Sequence, residues 1–147
     1  MKNRWGNQRG MTLIEIMVVI AIIGIIGTIS VGYILDRFED AKVDGAKAQI
    51  VAFGNLLDQF RRDAGFYPSS EQGLQALIEK PSIGRTPKHY AVRGYTKNVP
   101  KDPWGCDYLY YSPGLQGHDY EIYTYGADCQ EGGDGYDADV ASFEIGE

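Results

Sequence analysis

The stretch Arg9-Gly10-Met11-Thr12-Leu13-Ile14-Glu15, continuing as Ile16-Met17-Val18-Val19-Ile20-Ala21-Ile22-Ile23-Gly24, decides how the rest of the chain is read. A short basic head of Lys2, Arg4 and Arg9 meets a long apolar run at Gly10. No charged side chain occurs from Ile16 to Leu35. A helix needs about 20 apolar residues to cross a bilayer, so this run is long enough. Basic residues before it and a large domain after it predict an N-terminus inside and a C-terminus outside.

Glu15 is the exception within the apolar stretch. A carboxylate there costs on the order of a few kcal/mol and marks a functional residue whose partner must be named. Cleavage between Gly10 and Met11 creates one, because the new α-amine of Met11 is largely cationic at neutral pH. Met11 and Glu15 are four residues apart and share one face of a helix. The pair can form within one chain, or Glu15 can meet the amine of a neighbouring copy. An uncut signal anchor leaves the glutamate unexplained. A secretory signal peptide fits worse still, because the run is too long and no small-x-small cleavage site follows it.

Composition narrows the classes further. The 147 residues carry a net charge of −6, and loss of residues 1–10 makes it −9. Such a balance argues against nucleic acid, which requires a basic footprint. Nineteen glycines and eleven tyrosines suit a loop-rich, partly β domain. About 112 residues lie beyond the apolar run, enough for a modest core that needs extra staples. The two cysteines, Cys106 and Cys129, both fall on the exported side, where disulfides persist.

Three parts are expected along the chain: a leader over 1–10, a membrane-spanning half-helix over 11–35 and an exported domain over 36–147. Gly24, Gly27 and Gly32 punctuate the half-helix and allow close helix approach. Val43, Ala46, Ile50, Phe53, Leu57 and Phe60 recur at spacings of three and four, an amphipathic stripe that continues the helix to about residue 63. Gly65 and then Pro68 end it. Ser69 and Gln72 read as a capping box for a short helix over Glu71–Glu79, with Leu74, Leu77 and Ile78 inward. Residues 82–103 are irregular, broken by Pro87, Pro100 and Pro103. Tyr108–Tyr111 and Tyr120–Tyr125 read as two strands of a hairpin, turning near Leu115–Gln116 and packing on the helix. This register sets Tyr108 roughly opposite Tyr123. Both cysteines then sit just beyond the open end of the hairpin, so a Cys106–Cys129 disulfide is expected.

Several of these stretches resemble known sequences. Gly10-Met11-Thr12-Leu13-Ile14-Glu15 resembles the class III signal of type IV pilins and type II secretion pseudopilins. Tyr67-Pro68-Ser69-Ser70-Glu71-Gln72-Gly73-Leu74-Gln75-Ala76-Leu77, Asp102-Pro103-Trp104-Gly105 and the Gly/Asp-rich 126–139 segment resemble stretches of the major pseudopilins, in the same order and spacing. The resemblance implies an α+β, type IV pilin-like fold, with a long N-terminal helix on a small antiparallel sheet and a C-terminal metal-binding loop. It implies cleavage after Gly10 by prepilin peptidase and N-methylation of Met11, which stands where the family usually has Phe. The family has Asn and Gly where Cys106 and Cys129 stand. A disulfide there resembles that of adhesive pilins.

The acidic loop holds Asp128, Asp134, Asp137 and Asp139 among glycines. Its spacing alone fits a solvated loop as well as a metal site, and it contains no EF-hand. The resemblance implies calcium, a hard cation that takes six to eight oxygens. The expected ligands are Asp128, Asp137, Asp139 and the carbonyl of Tyr125. Asp134 is a further candidate, at a position where the family often has Glu.

No constellation of catalytic residues is present, and His89 and His118 read as solvated. The function implied is the major structural subunit of a type II secretion pseudopilus. That filament is a periplasmic helical homopolymer, held in the inner membrane before assembly. It works with minor pseudopilins and with an inner-membrane platform driven by a cytoplasmic ATPase. The alternatives are a type IV pilus subunit for adhesion or motility, and a membrane-anchored periplasmic enzyme or binding module.

Overall fold

The computed structural model describes residues 10–145, and of residues 29–33 the backbone alone. Apart from Gly10, the leader lies outside the described residues. One helix, α1 (Leu13–Ala64), dominates the chain and ends one residue past the expected bound. The chain divides into two compact units, one ending at Phe38 and one starting at Glu39.

In the first unit the helix is apolar on every side. Leu13 is 79% exposed, Ile20 61% and Ile23 62%. Among the described residues no helix is long and apolar enough to cross a membrane. The run assigned to that role continues through positions 29–33, whose side chains lie outside the described ones.

In the second unit the stripe buries as its spacing requires. Ala46, Ile50, Phe53, Leu57 and Phe60 are almost fully buried, and Val43 packs at their margin. Each large side chain taken out of water contributes about 1.5–3 kcal/mol, so this face anchors the domain. Gly65, at φ 81°, ends the helix, and its amide donates to the Arg61 carbonyl at 2.8 Å. A left-handed residue after a helix favours glycine because it has no Cβ to clash.

The short helix contracts to a single 3-10 turn over Leu74–Leu77. Gly73 enters it at φ 58°, which is incompatible with an α-helix starting at Glu71. Gln72 does reach back to the amide of Ser69 at 3.0 Å. Its Nε2 also donates to the carbonyls of Ile83 and Arg85, tying down the irregular segment.

The sheet has three antiparallel strands in sequence order: β1 (Leu109–Tyr111), β2 (Glu121–Thr124) and β3 (Val140–Ala141). Leu109, not Tyr108, lies opposite Tyr123, a slip of one residue from expectation. Side chains alternate along a strand, so that slip decides which tyrosines face inward. Tyr108 and Tyr110 are buried, and Tyr108 meets Phe53 edge-on at 5.1 Å. Ile122 and Val140 complete the core against Ile50, Phe53, Leu57 and Phe60. β3 was not foreseen: two residues carry too little periodicity to read as a strand.

Candidate functional site

The N-terminal site is built around the start of α1. Gly10 and Met11 are exposed and precede the helix. Glu15 lies in its first turn and accepts from the Thr12 amide at 2.7 Å and the Thr12 hydroxyl at 2.9 Å. The Thr12 hydroxyl accepts from the Glu15 amide at 3.3 Å. These reciprocal bonds are a capping box of the Thr-x-x-Glu form, which satisfies helix donors that have no partner within the helix. A carboxylate there also faces the positive end of the helix dipole. In the single copy Glu15 therefore holds Thr12, and the sequence reading missed this partner. The Thr12-x-x-Glu15 spacing was the available signal.

The second site is the loop from Tyr125 to Asp139. It begins where β2 ends, in a 3-10 turn over Gly126–Asp128, and a second such turn covers Gly135–Asp137. Cys106 and Cys129 form a disulfide with Cα atoms 5.9 Å apart, as expected. The bond ties the loop to the turn before β1. Gly126 (φ 65°) and Gly133 (φ 88°) press their backbones on Asp137. A Cβ at Gly126 would lie 2.7 Å from the Asp137 carbonyl carbon, and one at Gly133 would lie 2.6 Å from its oxygen. Only glycine permits that approach.

The four aspartates are not drawn together. The Asp128 carboxylate accepts from the Gln130 amide at 3.0 Å. Both carboxylate oxygens of Asp139 accept from the Gly132 amide at 3.1 Å. Among the described residues no group of three or more acidic, histidine or cysteine side chains is placed to hold a metal ion. The donor chemistry nevertheless suits calcium, since every candidate ligand offers oxygen and the glycines leave the Asp137 carbonyl closely surrounded by backbone.

Asp102 supports the loop from below and was read only as part of a motif. It is 5% exposed. Its carboxylate accepts from the amides of Trp104 at 3.0 Å and Cys106 at 2.7 Å, and from the Thr124 hydroxyl. A buried carboxylate needs such donors to offset lost hydration. Trp104 Nε1–H then donates to Glu39 on α1 at 3.0 Å, and the Tyr136 hydroxyl donates to Asp40 at 3.2 Å. The Lys42 ammonium and the Trp104 N–H hold the Glu39 carboxyl below its usual range. The turn, the disulfide and the acidic loop are thus fastened to one stretch of helix. His118 is exposed, as expected, and also stacks on Phe143 with ring centroids 5.7 Å apart.

These features match one family across most of the chain. A family model described as type II secretion system (T2SS), protein G matches residues 33–143. The chain belongs to that family. A model of the prokaryotic N-terminal methylation motif matches residues 5–31. The type II secretion system core protein G of Vibrio cholerae is 45% identical over 138 residues, which cover 94% of this chain and 93% of that protein. The core protein G of Pseudomonas aeruginosa is 44% identical over 137 residues, covering 93% and 96%. The crystal structure of the major pseudopilin from the type 2 secretion system of enterohaemorrhagic Escherichia coli aligns with a TM-score of 0.65 at 33% identity, covering 75% of this chain and 93% of that one. The chain is a pseudopilin of the type II secretion system, and the type IV pilus alternative falls away. As a member of this family it is a structural subunit of membrane-associated secretion machinery.

Proposed function

We propose that the chain is cut between Gly10 and Met11, methylated on the new Met11 amine, and stored in the inner membrane as a single-pass protein. Its N-terminus is cytoplasmic and its 36–147 domain periplasmic. From there copies are drawn into a periplasmic helical filament that pushes folded proteins through an outer-membrane channel. The chain has no catalytic step of its own in this cycle. Prepilin peptidase processes it, an inner-membrane platform with a cytoplasmic ATPase extracts it, and minor pseudopilins join the filament.

The observation that carries this reading is the first turn of α1. Thr12 and Glu15 satisfy one another there, so the turn stays helical and holds the carboxylate at the edge of an apolar surface. In the filament Glu15 meets the N-terminal amine of a neighbouring copy and sets register. Burial of the apolar half-helices against one another supplies the cohesion.

Calcium is proposed for the Tyr125–Asp139 loop. Asp128, Asp137 and Asp139 with the Tyr125 carbonyl would hold it, and Asp134 is a fifth candidate. The ion would neutralise crowded carboxylates and order a loop with few apolar side chains. Binding to the folded state alone raises stability as calcium rises.

Mass spectrometry of the membrane-extracted protein tests the processing. The expected mass is that of residues 11–147 with one added methyl group and one disulfide. A leader retained on assembled filament would overturn the reading. For the ion, the melting midpoint of the full chain in micelles should fall with excess chelator, and Asp128→Ala or Asp139→Ala should abolish the difference. Coincident curves would reduce the loop to a solvated surface.

A further inference from the structure

The Tyr125–Asp139 loop is gripped near its start by a turn that lies outside it. The turn over residues 102–106 is closed in both directions. The Asp102 amide donates to the Cys106 carbonyl at 2.9 Å, and the Cys106 amide donates to the Asp102 carboxylate at 2.7 Å. Asp102 also accepts from the hydroxyl of Thr124, the residue before Tyr125. Cys106 Sγ lies 4.0 Å from the carbonyl oxygen of Gly126, the residue after Tyr125. The disulfide then reaches Cys129, the residue after Asp128. Thr124, Gly126 and Cys129 are three points of attachment within six residues, and they flank the Tyr125 carbonyl and Asp128.

Of the three points, Thr124 and Gly126 are buried and Cys129 is exposed. Cys129 has φ 58°, and among the described residues it is the only non-glycine with a positive φ. Such a backbone persists where its surroundings over-determine it. For exposed Cys129 that constraint is the covalent bond to the 102–106 turn. The Asp128 carboxylate reaches across Cys129 to the Gln130 amide at 3.0 Å, so the conformation of Cys129 decides where that carboxylate lies. The geometry points to the Cys106–Cys129 disulfide as a positioning element of the calcium site, acting through Asp128 and the Tyr125 carbonyl. The sulfurs are not ligands, because calcium takes oxygen. This inference rests on the calcium reading and deepens it. A loop fixed before the ion arrives loses less conformational freedom on binding, so it binds more tightly. The coupling is reciprocal: the factor by which the disulfide raises calcium affinity is the factor by which calcium protects the disulfide from reduction.

Calcium titration of the full chain in micelles, against a competing chelator, tests this at a temperature where circular dichroism shows every form folded. Cys106→Ser with Cys129→Ser should bind calcium about 10–100-fold more weakly, the loss expected when residues that orient metal ligands are removed. Reduction of the folded wild type is a second arm that needs no variant to fold. Cys129 is exposed, so the bond is open to thiolate attack. Dithiothreitol closes to its cyclic disulfide, and its two electrons and two protons leave Cys106 and Cys129 as thiols. The reduced wild type should match the double variant, and the double variant should not respond to reductant. Thiol labelling across graded ratios of reduced to oxidised dithiothreitol reads the reciprocal effect. Saturating calcium should move half-reduction to a higher ratio by the same fold as the affinity difference.

Melting separates positioning from stapling. A bond that only staples the domain lowers the midpoint of the double variant equally in calcium and in excess chelator, whereas a bond that positions the site lowers it more in calcium. Equal losses in the two conditions would overturn the inference. So would equal calcium affinity in the oxidised, reduced and serine-substituted chains, and both results would leave the calcium reading intact. Failure of the oxidised wild type to bind calcium would remove the calcium reading itself, and this inference with it.

Discussion

Two stretches of α1 have the same backbone and opposite fates. Before Phe38 the apolar side chains face outward, with Ile20 and Ile23 both more than half exposed. After Glu39 the apolar side chains fall on one stripe, and Phe53, Leu57 and Phe60 are all but removed from water. Both stretches are helical, so the difference lies in where the partners come from. The second stretch is completed by β1, β2 and β3 of its own chain. Among the described residues the first keeps its apolar side chains exposed in one copy, a surface suited to lipid or to other copies.

The largest expected break in this comparison is Phe60→Ala. Phe60 is fully buried and meets Phe66, Tyr90 and Tyr95 at ring distances of 5.9, 6.1 and 5.6 Å. Truncating such a side chain leaves a cavity and costs about 3–5 kcal/mol. Ile20→Ala, also in α1, should leave domain melting unchanged. Thermal denaturation of the detergent-solubilised chain checks both. An equal loss from the two would mean that the units do not unfold independently.

The disulfide comes next, because it staples only the second unit. Cys106→Ser with Cys129→Ser releases a loop closed over a sequence separation of 23. The expected loss is about 2–4 kcal/mol in denaturant unfolding of the domain. Helix content of the first unit, read by circular dichroism in micelles, should not change. Free-thiol labelling of the unreduced wild type should find no reactive cysteine.

How much of this was readable from sequence follows the length of each signal. The helix and its buried stripe were legible because Ala46 to Phe60 repeat the same spacing over four turns. The cysteine pairing was legible because only two cysteines exist and the hairpin brings them to one end. The strand β3 and the one-residue register of β1 were not, since Val140–Ala141 is too short for periodicity and tyrosines on both faces of β1 make the two registers look alike. Thr12 was overlooked because Glu15 was weighed as a membrane charge before its capping spacing was considered. Asp102 was quoted within a motif, yet its task depends on Thr124, a contact across 22 residues that no local pattern announces.

Glu121 gives a pH-dependent contrast confined to the domain. It is fully buried at the start of β2. Burial pushes its carboxyl up, but the Tyr123 hydroxyl at 2.5 Å and the amides of Gln116 and Leu115 outweigh burial and hold it below the ordinary carboxylate value. The unfolded chain therefore binds the proton more readily than the folded one. This contribution is present above the unfolded value of about 4.3 and is lost as pH falls through the lower folded value. Domain stability should drop on acidification in that window, and Glu121→Gln should flatten the drop. An unchanged slope in Glu121→Gln would assign acid sensitivity to other carboxylates.

The smallest expected effects come from three glycines of α1, and they separate helix propensity from packing. Alanine is favoured over glycine in a helix by about 0.8–1.0 kcal/mol. At Gly45 an added Cβ would meet only Pro103 Cγ at 3.6 Å, an ordinary contact. Gly45→Ala should therefore stabilise the domain by close to the full propensity gain. At Gly54 the Cβ would lie 2.9 Å from the Tyr120 hydroxyl. The Tyr120 ring is held against Tyr67 and Tyr110, with centroids 4.8 and 6.2 Å away, so it cannot swing aside freely. Gly54→Ala should lose the gain and melt at or below the wild type. At Gly24 nothing lies within 4 Å in the single copy. Gly24→Ala should leave domain melting alone, while its filament yield reports whether neighbouring half-helices approach there closely enough to need a bare backbone. If Gly54→Ala stabilises the domain as much as Gly45→Ala, the Tyr120 contact is soft and packing does not control this part of the helix.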